Sequence, residues 1–242
     1  MIILASDTSG KSISVALAES GRIRDEILEK TEMQHASSLL PAINNLLDSN
    51  SLGLQDIDLF ATTTGPGSFT GIRIGLSAVM GLAYGTGKKV YGVSSLAALA
   101  AAVSAENKVI APVLDARGGR VYSGLYRNGV SLTAEKPRDI AEFLEDLAKE
   151  YPPTDEINFV GDGCILIRNY LSAAGPDNIL TSFREKAVFA PSEKNDISAG
   201  RVALLAHAAY ERGEEFLAAH ELKATYGIES AAQRNLKNKG EQ

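Results

Sequence analysis

Residues 5–12, ASDTSGKS, have the loose spacing of a phosphate loop: a small residue, four others, then Gly10-Lys11-Ser12. A working phosphate loop ends a strand and opens a helix, so that the first helical N–H groups point at the phosphates. The residues after Ser12 deny that helix. Ile13, Val15 and Leu17 alternate with Ser14, Ala16 and Ala18, which is the period of a strand. Ile2 to Ala5 also reads as a strand, and Ala5 stands where a phosphate loop usually has glycine. The unit is therefore strand, tight turn, strand, with Asp7 at the turn.

The same punctuation continues. Residues 22–30 read as a third strand, joined to the second by a Ser20-Gly21 hairpin. Ala36, Leu39, Leu40, Ile43 and Leu47 have helical spacing, and Pro41 inside that pattern predicts a kink or a first turn. Residues 56–64 read as a strand running into GPGSFTG, where Pro66 and the glycines predict a sharp turn and Ser68 or Thr70 a helix cap. A long helix over 69–84 follows, closed by Gly85 and Gly87, then a strand at 89–93 and a helix from Ser94 or Ser95 to Val103. From residue 106 the pattern restarts. A strand at 109–114 leads to Asp115, a strand at 120–126 follows, and Arg127-Asn128-Gly129 reads as a hairpin turn. Helices are predicted at 138–150, from Gly161-Asp162-Gly163 to 174, and at 198–213, with a strand at 157–160. Asp7 and Asp115 thus head two similar lobes, predicted at 1–105 and 106–221. The last helix is free to pack back on the first lobe, and 222–242 is a polar tail. Strands paired antiparallel, then alternating with helices, define an α/β class with a mixed, helix-flanked sheet in each lobe.

Composition excludes several classes. A net charge of -6 and a pI near 5.2 repel phosphate backbones, so autonomous nucleic-acid binding is not expected. The single cysteine, Cys164, rules out an internal disulfide and fits a reducing cytoplasm. No apolar run approaches the roughly 20 residues that span a bilayer, so no membrane association is expected. The start, MIILASDTSG, has neither the basic region nor the apolar core of a signal peptide.

Strand, aspartate, turn, strand, then alternating helices and strands, twice over, resembles the two-lobed actin-like, sugar-kinase and heat-shock-ATPase superfold, which is RNase H-like. More specific are ASDTSGKSISVAL at 5–17, QHASSLLPAI at 34–43, GPGSFTGIRIGLSAVMGLAYG at 65–85 and DARGGRVYSGLY at 115–126. Together these resemble the bacterial TsaB family, also called YeaZ, closely up to residue 126 and loosely beyond. The resemblance implies a part in making threonylcarbamoyladenosine beside the tRNA anticodon. It implies a scaffold for the paralogue TsaD rather than a catalyst alone, with the ATPase TsaE joining them and tRNA met only through the complex. It also implies that the helices at 34–48 and 69–85 form the TsaD interface, and that the chain alone forms a homodimer through the same surface. Older descriptions call the group glycoprotease-like, or peptidase M22-like.

In ATP-using members of the superfold the first hairpin holds phosphates and metal. Here that reading falls on Asp7, Thr8 and Ser9, with Asp115 heading the second lobe, and it supports an alternative function as an ATP-binding enzyme. The competing reading is that Asp, Thr and Ser simply make a good turn. Gly161-Asp162-Gly163 is the nearest match to a glycine-rich adenosine loop and a poor one. No cofactor is expected to be required by this chain, and ATP or ADP is expected, if anywhere, at the junction with a partner. The paralogue holds a metal ion through two histidines at i, i+4. The matching stretch here, YGVSSLAALA at 91–100, has neither histidine nor carboxylate, so neither a metal nor a catalytic residue is expected. His35 reads as a helix-start surface residue. Ser9, Ser68 and Ser94 have no histidine that the sequence places beside them, which argues against a peptidase. GPGSFTG is one residue too long for a dinucleotide fingerprint, although an anion could sit at the helix start behind it.

The helix after GPGSFTG has Gly71, Gly75, Ala78 and Gly85 on one face. A glycine inside a helix costs about 1 kcal/mol against alanine, and close approach of another helix is the usual reason for it. That helix belongs either to this chain, at 36–48, or to a partner. The partner reading assigns the interface to His35, Leu39, Ile43, Gly71, Arg73, Gly75 and Ala78, with Arg73 as a polar contact at the seam. It predicts that Gly75→Leu blocks docking and leaves the fold intact. Asp115-Ala116-Arg117 either closes the cleft between lobes with an ion pair or forms a turn. The tail's Lys223, Arg234, Lys237 and Lys239, against Glu229 and Glu241, either assist tRNA near the complex or are simply solvated.

Overall fold

A computed structural model of the chain describes residues 1–30, 35–103, 106–151, 156–175 and 179–225. β1 (Ile2–Asp7), β2 (Ser12–Glu19) and β3 (Arg22–Lys30) form as the alternation predicts. Ser20 and Gly21 both take positive φ, 48° and 76°, the turn geometry that matches strand twist. β4 (Leu59–Gly65) and β5 (Lys89–Ser94) complete a first sheet of order β3-β2-β1-β4-β5. β1 is antiparallel to β2 and parallel to β4, and β5 continues parallel to β4. Both faces are covered, which explains why β1, β2 and β4 are buried almost throughout. On one face α1 (His35–Ser49) and α2 (Phe69–Thr86) bring Leu39, Ile43, Leu46, Ile72 and Val79 onto Leu4, Val15, Leu17 and Phe60. On the other, Ile3, Ala5, Ala16 and Ala61 meet α3 (Ser95–Ala100) and α7, the helix at Ala199–Glu211.

The second sheet is built from β6 (Val109–Arg117), β7 (Arg120–Ser123), β10 (Lys136–Asp139), β11 (Ile157–Val160) and β12 (Ala187–Phe189). Its order is β10-β7-β6-β11-β12, and a small hairpin of β8 (Tyr126–Arg127) and β9 (Val130–Ser131) joins it through β6. Directions repeat those of the first sheet: two antiparallel pairs, then two parallel ones. The repeat headed by Asp7 and Asp115 is therefore a repeat of whole sheet topology, the two-lobed RNase H-like arrangement. α4 (Ile140–Glu150), α5 (Cys164–Ala173) and α6 (Ile179–Arg184) cover its outer face with Phe143, Leu144, Leu147 and Ile167. Between the sheets, Leu96 and Leu99 of α3 and Val202 of α7 share one core with Ile110, Leu114, Tyr126 and Val160.

Several boundaries differ from expectation. Pro41 lies inside α1 rather than in its first turn and is exposed, so its ring meets solvent. Residues 54–56 form a 3-10 turn, not the start of a strand. Gly85 stays helical, and Gly87 alone ends α2 at φ 69°. α3 stops at Ala100 rather than Val103. The 120–126 strand breaks at Gly124. β10 was illegible because Pro137 interrupts it, which an edge strand tolerates. After α7 the chain returns to the first sheet. Leu217 and Val90 exchange two backbone hydrogen bonds of 3.0 and 3.1 Å, Leu222 is buried, and the Thr225 N–H donates to the Thr64 carbonyl at 2.7 Å. Gln34 of the predicted helix, and Glu229, Arg234, Lys237, Lys239 and Glu241 of the predicted tail, lie outside the described residues. No helix among the described residues is long and apolar enough to cross a membrane.

Candidate functional site

The Asp7 hairpin is closed over by its own chain. Asp7 is fully buried, and its Oδ1 accepts from the Ser9 hydroxyl at 2.6 Å, the Thr63 hydroxyl at 2.5 Å and the Ser9 N–H at 3.2 Å. Its Oδ2 is buried without a hydrogen-bond partner among the described residues. Burial holds the carboxyl above the usual aspartate range, against the opposing pull of the Ser9 and Thr63 hydroxyls. Ser95 Oγ donates to Ser9 Oγ at 3.1 Å. Thr8 Oγ1 donates to the Gly71 carbonyl at 2.6 Å, and the Ser68 N–H donates to the Ser9 carbonyl at 2.8 Å. The GPG turn thus lies across the hairpin, and Ser68 caps α2 by accepting the Gly71 N–H at 3.2 Å. Asp7, Thr8 and Ser9 are all buried, and the Ser9 carbonyl is held by the α2 cap residue.

Asp115 does not join that cluster. Its N–H donates to Asp162 Oδ1 at 3.0 Å, and its Oδ1 accepts the Arg117 N–H at 2.7 Å. Asp115-Ala116-Arg117 is the irregular end of β6, with Arg117 at φ 66° and its guanidinium 3.6 Å from the Asp115 carboxylate, and the turn itself falls at Gly118-Gly119. Among the described residues the ion pairs between lobes are Lys11 to Asp162 at 3.6 Å and Lys30 to Asp196 at 3.8 Å. Ser12 and Asp196 add a hydrogen bond at 3.3 Å. A further contact had no sequence signal beyond a helix cap. Ser94, which caps α3, donates to the Glu135 carboxylate at 2.6 Å, and the Tyr126 hydroxyl donates to the same carboxylate. Burial and Glu135 push the Tyr126 phenol well above its usual range. His35 is a local tie: its Nε2–H donates to the Gly10 carbonyl at 3.1 Å. No group of three or more His, Cys, Asp or Glu side chains among the described residues is placed to hold a metal. The Cys164 thiol, pushed up to about 12 by burial, is unreactive.

The α1–α2 surface corrects the predicted interface. Leu39 and Ile43 are buried in this chain's own core. Gly71 and Gly75 are buried too, because α2 lies against the hairpin. A Cβ on Gly71 would run into the Thr8 carbonyl, and one on Gly75 would come within 2.6 Å of Thr8 Oγ1 and 3.2 Å of Thr62 Oγ1. These four are closed to a partner, and Gly75→Leu would break the fold rather than spare it. His35, Arg73 and Ala78 remain accessible. The exposed row of α2 is Phe69, Arg73, Ser77, Gly81 and Gly85, spaced by four, with the Arg73 guanidinium 3.8 Å from the Phe69 ring. A Cβ on Gly81 or Gly85 would meet nothing within 4 Å. Tyr84 at 81% and Leu40 of α1 at 47% exposure extend the apolar surface.

Two repeated mixed sheets with a hairpin buried under the GPG turn define a protein of the actin-like, RNase H-like fold. Residues 27–234 match the family model for TsaD, tRNA N6-adenosine threonylcarbamoyltransferase. The chain is 34% identical over 157 residues to the tRNA threonylcarbamoyladenosine biosynthesis protein TsaB of Bacillus subtilis (strain 168), covering 63% of this chain and 69% of that one. Its Escherichia coli (strain K12) namesake is 35% identical over 162 residues, covering 62% and 69%. The solved structure of YeaZ from Pseudomonas aeruginosa matches with a TM-score of 0.73 at 30% identity, over 93% of this chain and 99% of that one. The chain belongs to the TsaB (YeaZ) family.

Proposed function

We propose that this chain serves tRNA threonylcarbamoyladenosine biosynthesis as a non-catalytic subunit, a cytoplasmic scaffold that docks TsaD through the outer faces of α1 and α2. The observation that carries this reading is the exposed Gly81 and Gly85. Glycine in a helix costs about 1 kcal/mol each, and no neighbour among the described residues accounts for these two. Phe69 and Tyr84 flank them as rigid aromatic anchors, the residue type that dominates interface energetics. The match to the TsaD family model supports a partner of related fold, so that equivalent helices pair about a pseudo-two-fold axis. A homodimer through the same patch then competes with the TsaD complex. TsaE and tRNA meet the chain only within that complex. The chain needs no cofactor of its own, and ATP or ADP serving the assembly sits at the subunit junction.

Size-exclusion chromatography with light scattering, on the chain alone and with TsaD from the same source, tests this. The expected result is a complex that forms as a homodimer disappears, and that Gly81→Leu prevents without lowering its urea midpoint. A chain that ignores TsaD, or normal docking by Gly81→Leu, overturns the reading. So does micromolar binding of ATP and magnesium that Asp7→Ala abolishes.

A further inference from the structure

The outer side of the second sheet holds a cavity of about 310 Å³ beneath α4, separate from the hairpin and from the α1–α2 face. Leu125, Phe143 and Leu147 form its apolar wall. Arg138 is its unusual member. It stands opposite Val121 across the β10–β7 pair, on the face that α4 covers, with its guanidinium 5.6 Å from the Phe143 ring centre. Its Nε is buried without a hydrogen-bond partner. Among the described residues no carboxylate lies within ion-pair distance of it. A buried donor left unpaired is costly, and more so on a charged group. Such an orphan is explained by a ligand that supplies the acceptor.

The rest of the lining narrows the ligand. Asp146 and Glu150, one turn apart on α4, border the same cavity and form no ion pair among the described residues. Lys149 is already held by Glu145 at 3.7 Å. A plain anion would satisfy Arg138 but face two carboxylates. A plain cation would face Arg138. Thr133 Oγ1 accepts the Leu125 N–H at 3.0 Å, which leaves its own proton to donate.

We propose that this cavity binds a small zwitterion of the α-amino-acid class. The carboxylate takes the planar fork of Arg138 and the Thr133 hydroxyl. The ammonium faces Asp146 and Glu150, and an apolar side chain lies on Leu125, Phe143 and Leu147. The volume is at the lower end for ligand pockets, about 300 Å³, which suits a single amino acid. The proposal is independent of the docking reading.

The test is an NMR titration of the nitrogen-15-labelled chain with L-leucine and L-valine, and with isovalerate and isopentylamine as single-ended mimics of leucine. The expected result is saturable shifts at the amides of Thr133, Arg138 and Leu147 with an amino acid, and at least about tenfold weaker binding of either mimic. Arg138→Gln and Asp146→Asn should each weaken amino-acid binding about tenfold or more. Asp146 is exposed, so Asp146→Asn separates loss of binding from loss of fold. No saturable shift with either amino acid overturns the proposal. Isovalerate binding as tightly as L-leucine, or amino-acid binding unchanged in Asp146→Asn, overturns it as well.

Discussion

Asp7 shows how one residue type supports two opposed readings. In sequence it marks a phosphate hairpin; in the fold its carboxyl is sealed beneath Ser9, Thr63 and the GPG turn. Its folded pKa is raised above the ordinary 3.8 by burial. Stability from this group is therefore full below about that ordinary value and is lost as pH rises through the folded one. Asp7→Asn removes the titration. Wild type should lose urea stability relative to Asp7→Asn as pH rises from acid towards 8, and a wild type that gains stability relative to the variant over that range would contradict the buried-acid account. The glycines make a sharper pair. Gly75→Ala and Gly81→Ala each relieve about 1 kcal/mol of helix penalty. At Gly81 the methyl meets open solvent, so the urea midpoint should rise. At Gly75 it meets the Thr8 hydroxyl, and overpacking of about 1–3 kcal/mol should lower the midpoint.

At the scale of elements, α2 is the informative helix. Its buried row packs on the hairpin and its exposed row faces the solvent, the two rows being offset by two residues, about 200° around the helix. Periodicity gave the helix and the presence of a close-packed face. It did not say which glycines face the chain's own hairpin, because that depends on where β1 turns beneath it. Tyr84→Ala should weaken the TsaD complex by about 2 kcal/mol or more, read by titration calorimetry, with no loss of thermal stability. A complex of undiminished affinity would remove Tyr84 from the interface. Strands β1 to β3 were legible because alternation and the Ser20-Gly21 turn agree. β10 and β12 were not, being short edge strands, one of them broken by Pro137.

At the scale of the molecule, the two sheets repeat one topology and are joined by a shared core and a few polar ties. The Lys11–Asp162 pair is largely exposed on its lysine side and contributes at most about 1 kcal/mol. Glu135 matters more. It accepts from Ser94 beside the first sheet and from Tyr126 on the second, and both hydroxyls lose water to reach it. Glu135→Ala leaves both donors without their shared acceptor, which should cost about 1–3 kcal/mol in urea unfolding. Tyr126→Phe removes donor and demand together and should cost less. Equal losses for the two variants would mean that packing, not the shared carboxylate, ties the sheets.

The sequence by itself determined the α/β class, the paired strand-aspartate-turn units, the helix caps to within Ser68 or Thr70 and Ser94 or Ser95, and the family to which the chain belongs. Those features depend on residues within one turn or one strand of each other, where periodicity and turn chemistry are decisive. Only the tertiary structure decided that Asp7 is sealed, that Gly71 and Gly75 serve the chain's own hairpin while Gly81 and Gly85 face outward, and that Ser94, Tyr126 and Glu135 meet. Each of those depends on which surfaces two distant segments bury against each other, and local patterning holds no record of that choice.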